Sequence, residues 1–211
     1  MENLFSGTSK KAEIRKRLSE FKSKWKEPDE AIFEELAFCL CTPQSNALKC
    51  AEAIEIAKKK KCFQNKAELK KCLHRRVRFH NNKSKYIAMA RTFFERNGKL
   101  EIKKILKENR IEQKHLHTRN WLAENIKGMG LKEASHFLRN IGFYENIAIL
   151  DRHILKNLKS LGAISKIPKS MGKKQYLEIE QKMLAFCKKQ KIKPEELDLA
   201  LWAKETGFVF K

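Results

Sequence analysis

Apolar residues recur along this chain at intervals of three and four, which gathers them on one face of a helix, and no segment alternates apolar and polar residues long enough to suggest a sheet. The pattern predicts an all-α protein of about ten to twelve helices. The first two are expected over residues 10–25 and 29–41. In the second, Ile32, Phe33, Leu36, Ala37 and Leu40 share a face, and Asp29 after Pro28 is placed to cap it. A polar break, Thr42-Pro43-Gln44-Ser45-Asn46, leads into a helix through Ala47, Ala51, Ile54 and Ala57 that ends in the run Lys58 to Lys61. Residues 74–85 then gather His74, Arg75, Arg76, Arg78, His80, Lys83 and Lys85 around Phe79, ahead of a helix carrying Tyr86, Ile87, Met89, Ala90, Phe93 and Phe94. A loop from Leu161 to Lys173, with Gly162, Pro168 and Gly172, precedes two C-terminal helices. The last begins near Pro194, where proline is favourable, buries Leu197, Ala200 and Leu201, and ends at Gly207.

Composition supports this reading and adds a partner. Only 8 Gly and 4 Pro punctuate 211 residues, so short turns join the helices, and a chain of this size can build one sizeable core or two small lobes. The 47 Lys and Arg against 25 Asp and Glu leave a net charge of +22, a field that attracts polyanions. Lysine runs are ordinarily a solvated surface, and such a surface also suits a heat-adapted protein. Basic residues set around an aromatic, as at Phe79, suit nucleic acid better. No stretch approaches 18 apolar residues and the N-terminus lacks the plan of a signal peptide, so no membrane is expected and the location is intracellular, in cytoplasm or nucleoid. Cys39, Cys41, Cys50, Cys62, Cys72 and Cys187 match no zinc spacing, and Cys187 stands alone where a four-cysteine iron–sulfur set would need company. They are expected to be buried free thiols, with no metal ligands assigned.

The stretch with chemical content is Asn125-Ile126-Lys127-Gly128-Met129-Gly130-Leu131-Lys132-Glu133-Ala134-Ser135-His136-Phe137-Leu138, read as helix, glycine turn, helix. Gly128 and Gly130 allow a tight turn, which aims the amides opening the second helix at a phosphate. Leu131, Ala134, Phe137 and Leu138 pack that helix down, and Gly142 stops it. A Gly-x-Gly turn alone describes an ordinary connection. Here, however, an apolar segment Ile147-Ala148-Ile149-Leu150 follows, and Asp151 then precedes Arg152-His153-Ile154-Leu155, placing a carboxylate 19 residues after Lys132. This arrangement resembles the helix-hairpin-helix DNA glycosylase superfamily. Asn125 to Asn140 with Ile147 to Leu155 is most similar to the compact archaeal-type 8-oxoguanine DNA glycosylase/lyase family, and Lys-Glu-Ala-Ser-His-Phe-Leu-Arg-Asn is the specific part. The resemblance runs from about Glu34 to the C-terminus and is weaker over residues 42–75.

The resemblance implies a helix-hairpin-helix fold of two helical lobes, residues 42–150 and residues 10–41 with 151–211, and an active-site cleft between them. It implies that the enzyme removes 8-oxoguanine and cleaves the abasic site by β-elimination, with Lys132 as nucleophile and Asp151 as its acidic partner. The positive end of a helix and partial burial would disfavour the ammonium of Lys132, and Asp151 is expected to cap the helix it precedes as well. His136, one turn after Lys132 on the same helix face, is assigned to the base pocket, with a core histidine as the rival reading; the resemblance adds Phe79, Trp202 and the C-terminal Lys211, and without it both aromatics read as core. Gln44 and Asn46 would enter the gap left by the extruded base, and Gly128, Gly130, Lys127, Arg139, Arg152 and His153 would contact the backbone. No cofactor is required, although hairpin carbonyls in the superfamily sometimes hold a monovalent cation. The partner is duplex DNA containing 8-oxoguanine or an abasic site, and a monomer suffices. The rival readings are a thymine-glycol glycosylase/lyase, which normally adds the missing iron–sulfur cysteines, and a noncatalytic DNA-binding hairpin module.

Overall fold

A computed structural model of the protein describes residues 8–210. Among them, eleven helices follow one another: α1 (Thr8–Lys24), α2 (Asp29–Cys41), α3 (Ala47–Lys59), α4 (Lys66–Leu73), α5 (His80–Phe94), α6 (Ile102–Glu108), α7 (Ile111–Asn125), α8 (Leu131–Asn140), α9 (Arg152–Ser160), α10 (Lys173–Gln190) and α11 (Pro194–Thr206). Among the described residues, the one departure from helices and their connections is a short antiparallel pair, β1 (Glu95–Arg96) with β2 (Lys99–Leu100). Asn97 and Gly98 turn between them, both at positive φ (51° and 73°), as a two-residue hairpin turn demands. That Asn-Gly signal stands in the sequence. The strands escape the period-2 test because they are two residues long.

Two compact units divide the chain. One is residues 24–137; the other joins the segment up to Ser23 with the chain from Leu138 onward. The expected lobes ran 42–150 and 10–41 with 151–211, so residues 24–41, which include α2, and residues 138–150 change sides. The reason for α2 lies in its composition. Ile32, Phe33, Leu36, Ala37, Phe38, Cys39, Leu40 and Cys41 are all buried, which covers every face of the helix, and a helix apolar all round must be surrounded. It packs on α3, α5 and α6 as the centre of the 24–137 unit. Asp29 does not cap α2, whose N-cap is Pro28. Its Oδ1 instead accepts the backbone N–H of Lys103 at 2.8 Å, in the first turn of α6.

In the other unit, Ile14, Leu18 and Phe21 of α1 share a core with Tyr144, Leu199, Ala200, Ala203 and Val209. Helix α11 starts with Pro194 at its first position and closes at Gly207, as expected, and packs against α9 and α10. All six cysteines are buried, and none is in a disulfide. No helix among the described residues is long and apolar enough to cross a membrane. Nor do those residues gather three or more His, Cys, Asp or Glu side chains as a metal ion would need.

Candidate active site and DNA-facing elements

The glycine hairpin belongs to the 24–137 unit and joins α7 to α8. Ile126 and Met129 are buried, which turns Lys127, Gly128 and Gly130 outward to solvent. Gly128 has a φ of +87°, and a Cβ placed there would come within 2.3 Å of Cδ2 of Tyr86. The turn therefore needs glycine twice over, for its backbone shape and for the aromatic ring of α5 behind it. Glu133, the third residue of α8, reaches back so that its Oε2 accepts the N–H of Gly130 at 3.2 Å, one half of a capping box. Its Oε1 lies 3.0 Å from Nζ of Lys132. One carboxylate thus holds both the turn and the amine, and the Lys132 side chain keeps 27% of its surface exposed. One turn further on, the buried His136 ring meets Phe38 edge-on at 5.6 Å between centroids.

Two further elements of this unit carry expected DNA-facing residues. Phe79 is the N-cap of α5 in a left-handed conformation (φ 57°), 49% exposed, with the guanidinium of Arg78 at 4.9 Å from its ring centroid. A large ring held open to solvent under a cation is available to stack on a base. In the break after α2, Gln44 is exposed at φ 54°. Asn46 caps α3, its Oδ1 accepting the N–H of Lys49 at 3.1 Å, so that side-chain oxygen already has a partner.

The other unit carries Asp151. Buried Ile147 to Leu150 anchor the approach to it, with the N–H of Ala148 donating to Glu180 (3.0 Å) and the Tyr176 hydroxyl donating to the Ala148 carbonyl (2.5 Å). Asp151 is the N-cap of α9, and its Oδ1 accepts the N–H of Ile154 at 2.8 Å. Arg152 is exposed. His153 Nδ1 lies 3.5 Å from Oε2 of Glu205, a carboxylate that also takes Asn157 (3.0 Å) and Lys156 (3.3 Å). Those hydrogen bonds, from Asn157 first and then Lys156, hold the Glu205 carboxyl below its ordinary range. Trp202 meets Phe208 edge-on at 5.4 Å and lies tilted to Phe210 at 6.1 Å, a cluster near the chain end. Lys211 lies outside the described residues.

One expected phosphate contact is corrected. Arg139 is buried, its guanidinium paired with the buried carboxylate of Asp198, donating from Nε to Asn140 at 3.1 Å, and lying over the ring of Phe21. A guanidinium enclosed in this way holds α8 to α11 and cannot reach a backbone phosphate. Lys83, grouped in the sequence with the basic cluster around Phe79, is likewise buried and directed inward.

The arrangement offers a primary amine, partly exposed on the first turn of a helix that follows an exposed glycine turn, and that amine can add to an electrophilic sugar carbon. Residues 14–192 match the family described as 8-oxoguanine DNA glycosylase. The chain belongs to the 8-oxoguanine DNA glycosylase family. It is 47% identical over 201 residues to the 8-oxoguanine DNA glycosylase/AP lyase of Fusobacterium nucleatum, covering 94% of this chain and 91% of the relative. Against the enzyme of the same name from Methanocaldococcus jannaschii, identity is 38% over 207 residues, with the same coverage. The crystal structure of the Methanocaldococcus jannaschii 8-oxoguanine glycosylase/lyase in complex with a 15mer DNA containing 8-oxoguanine superposes with a TM-score of 0.86, at 36% identity, over 100% of this chain and 97% of the other. That of the Thermotoga maritima 8-oxoguanine DNA glycosylase gives 0.82 at 32% identity, over 100% and 96%. The fold is accordingly the all-α helix-hairpin-helix fold of the 8-oxoguanine DNA glycosylases.

Within this 8-oxoguanine DNA glycosylase family member, several residues around the site escaped sequence reasoning. Glu133 had a signal: a Glu three positions after the turn residue Gly130, ahead of an apolar run, is the capping-box spacing. Tyr86, Lys83 and Glu205 had none, because their partners are distant in sequence.

Proposed function

We propose that this protein excises 8-oxoguanine from duplex DNA and then breaks the strand at the resulting abasic site, acting as a bifunctional DNA glycosylase and lyase. The observation that carries the reading is Lys132, a partly exposed amine on the opening turn of α8, directly behind the outward-facing Gly128 to Gly130 turn. It stands in a chain that matches enzymes named 8-oxoguanine DNA glycosylase/AP lyase over nearly its whole length.

The damaged nucleotide is extruded, since neither its base edge nor C1′ is accessible within the stack. The neutral amine of Lys132 attacks C1′, and the glycosidic bond breaks with its electron pair passing to the base, which leaves protonated. Asp151, as carboxylate, stabilises the positive charge developing on the sugar and assists proton transfer. The amine nitrogen loses its protons as the sugar ring opens, leaving a Schiff base and a protonated O4′. The imine acidifies C2′. Loss of that proton expels the 3′ phosphate, which is β-elimination. His136, Phe79 and Trp202, with Lys211, would bound the base, and Gln44 would enter the vacated stack. Lys127, the exposed Gly128 to Gly130 turn, Arg152 and His153 would hold the backbone, with Glu205 orienting His153. Every step uses an amine, a carboxylate and solvent, so no cofactor is required for the chemistry; the enzyme is proposed to be intracellular and to act as a monomer.

Borohydride trapping on duplexes containing 8-oxoguanine, thymine glycol or an abasic site, with Lys132→Gln in parallel, tests this. The expected result is a covalent adduct on 8-oxoguanine that disappears in the variant. Trapping confined to thymine glycol would move the substrate. Tight binding without any adduct would leave a DNA-binding module.

A further inference from the structure

Lys83 is a buried charge that the reaction does not use. Its side chain lies in the 24–137 unit with 5% of the residue exposed, and its three N–H donors all end on one short stretch of chain. Nζ donates to the carbonyl of Cys41 (2.7 Å), the carbonyl of Pro43 (2.6 Å) and Oγ of Ser45 (3.0 Å). Those contacts surround Gln44. The turn there is closed by the Ser45 N–H donating to the Thr42 carbonyl at 3.0 Å, so Pro43 and Gln44 are its two central residues. Proline first and a positive φ second is the type II pattern, whose second central position ordinarily takes Gly or Asn. What separates type II from type I is the orientation of the peptide between the two central residues. The carbonyl of that peptide is Pro43 O, the closest partner of the ammonium.

A non-glycine residue held in the left-handed region persists only where its surroundings impose it, and such positions concentrate at functional sites. Burying an ammonium to impose it adds a desolvation cost, visible in a Lys83 pKa pushed below the ordinary lysine range by burial. Cys41 and Cys50 act against that push, and the hairpin residues Lys132 (lowering) and Glu133 (raising) are also close enough to be felt. The loop is tied onward as well. Ser45 Oγ accepts the backbone N–H of Arg78 at 3.0 Å, immediately before the exposed Phe79.

We propose that Lys83 is a positioning residue, whose buried ammonium locks the Pro43–Gln44 peptide so that Gln44 stands out from the turn, ready to enter the gap in a duplex from which a nucleotide has been extruded. Through Ser45 it also joins the Gln44 turn to the Arg78–Phe79 segment, so that the two loops meet the lesion as one rigid surface. The inference rests on the glycosylase reading for its DNA partner. It adds a reason why this lysine, among so many, is not on the surface.

The test measures affinity for an uncleavable tetrahydrofuran abasic analogue in a duplex and in the corresponding single strand, which has no gap to fill. The readout is the duplex-to-single-strand affinity ratio for wild type, Lys83→Met, Gln44→Ala, the double variant and Ser45→Ala. Lys83→Met and Gln44→Ala are each expected to lower the ratio about tenfold, and the double variant no further than either alone, because both changes remove one interaction. Ser45→Ala should lower it several-fold. If circular dichroism shows Lys83→Met unfolded, Ser45→Ala alone decides. A wild-type ratio near one, an unchanged ratio in Ser45→Ala, or losses that multiply in the double variant would overturn the proposal. No turnover and no 8-oxoguanine enter this measurement, so its failure is separable from a failure of borohydride trapping.

Discussion

Arg139 and Lys132 lie on the same helix, two turns apart, and meet opposite fates. Lys132 sits at the opening of α8, where the chain emerges from an exposed turn, and it remains partly in solvent beside Glu133. Arg139 lies at the other end, enclosed with Asp198, with both side chains less than a tenth exposed. Burial raises the Asp198 carboxyl above its ordinary range, with Arg139 acting against that shift. Removing the guanidinium strands a buried acid. Arg139→Leu is therefore expected to destabilise the fold by about 3–5 kcal/mol, the usual cost of breaking a buried pair from one side. Urea unfolding measures it, and a change of less than about 1 kcal/mol would show that the pair is not enclosed in solution.

At the scale of the element, helix termini carry the candidate chemistry. Asp151 caps α9 through one oxygen while serving as the proposed charge partner of Lys132, and the two roles separate under mutation. An asparagine can still accept the Ile154 N–H, so Asp151→Asn should leave the melting temperature close to wild type, whereas Asp151→Ala should cost about 1 kcal/mol. Both should stop 8-oxoguanine excision, because neither carries the charge. If Asp151→Asn kept near-normal single-turnover excision, the carboxylate would be a cap and nothing more. The capping box from Glu133 to Gly130 follows the same logic on α8.

Across the whole molecule, apolar burial extends to every thiol. Burial pushes Cys50 up to about 11 and Cys187 up to about 11, and burial together with the neighbouring Cys72, whose sulfur is 3.3 Å away, pushes Cys62 up to about 12. Since the thiolate is the reactive form, these cysteines stay protonated and enclosed at neutral and mildly alkaline pH. Native protein at a pH of about 8 should leave all six cysteines unlabelled by a thiol-specific disulfide reagent over minutes. Full reaction should appear only in denaturant. Rapid labelling of the native state would mean that a helix near a cysteine opens readily.

What the sequence determined by itself was local. Helix spacing, the proline start and glycine end of α11, the glycine hairpin and the Asp151 cap all depend on residues within a few positions of each other, and all stand in the structure where the pattern predicts them. The glycine turn was legible locally, whereas the pairing of Lys132 with Asp151, 19 residues on, was legible only through the resemblance to the helix-hairpin-helix DNA glycosylases. Tertiary structure decided what each remaining polar side chain faces. Asp29 looked like the cap of its own helix and caps α6 instead. Lys83 looked like one more surface lysine and is sealed over the Gln44 turn. Arg139 looked free for phosphate and is paired with a residue 59 positions away. The physical reason is the same for all three. A backbone period follows from the geometry of a single helix, whereas burial and pairing depend on which distant segments pack against it, and that arrangement exists only in the folded chain.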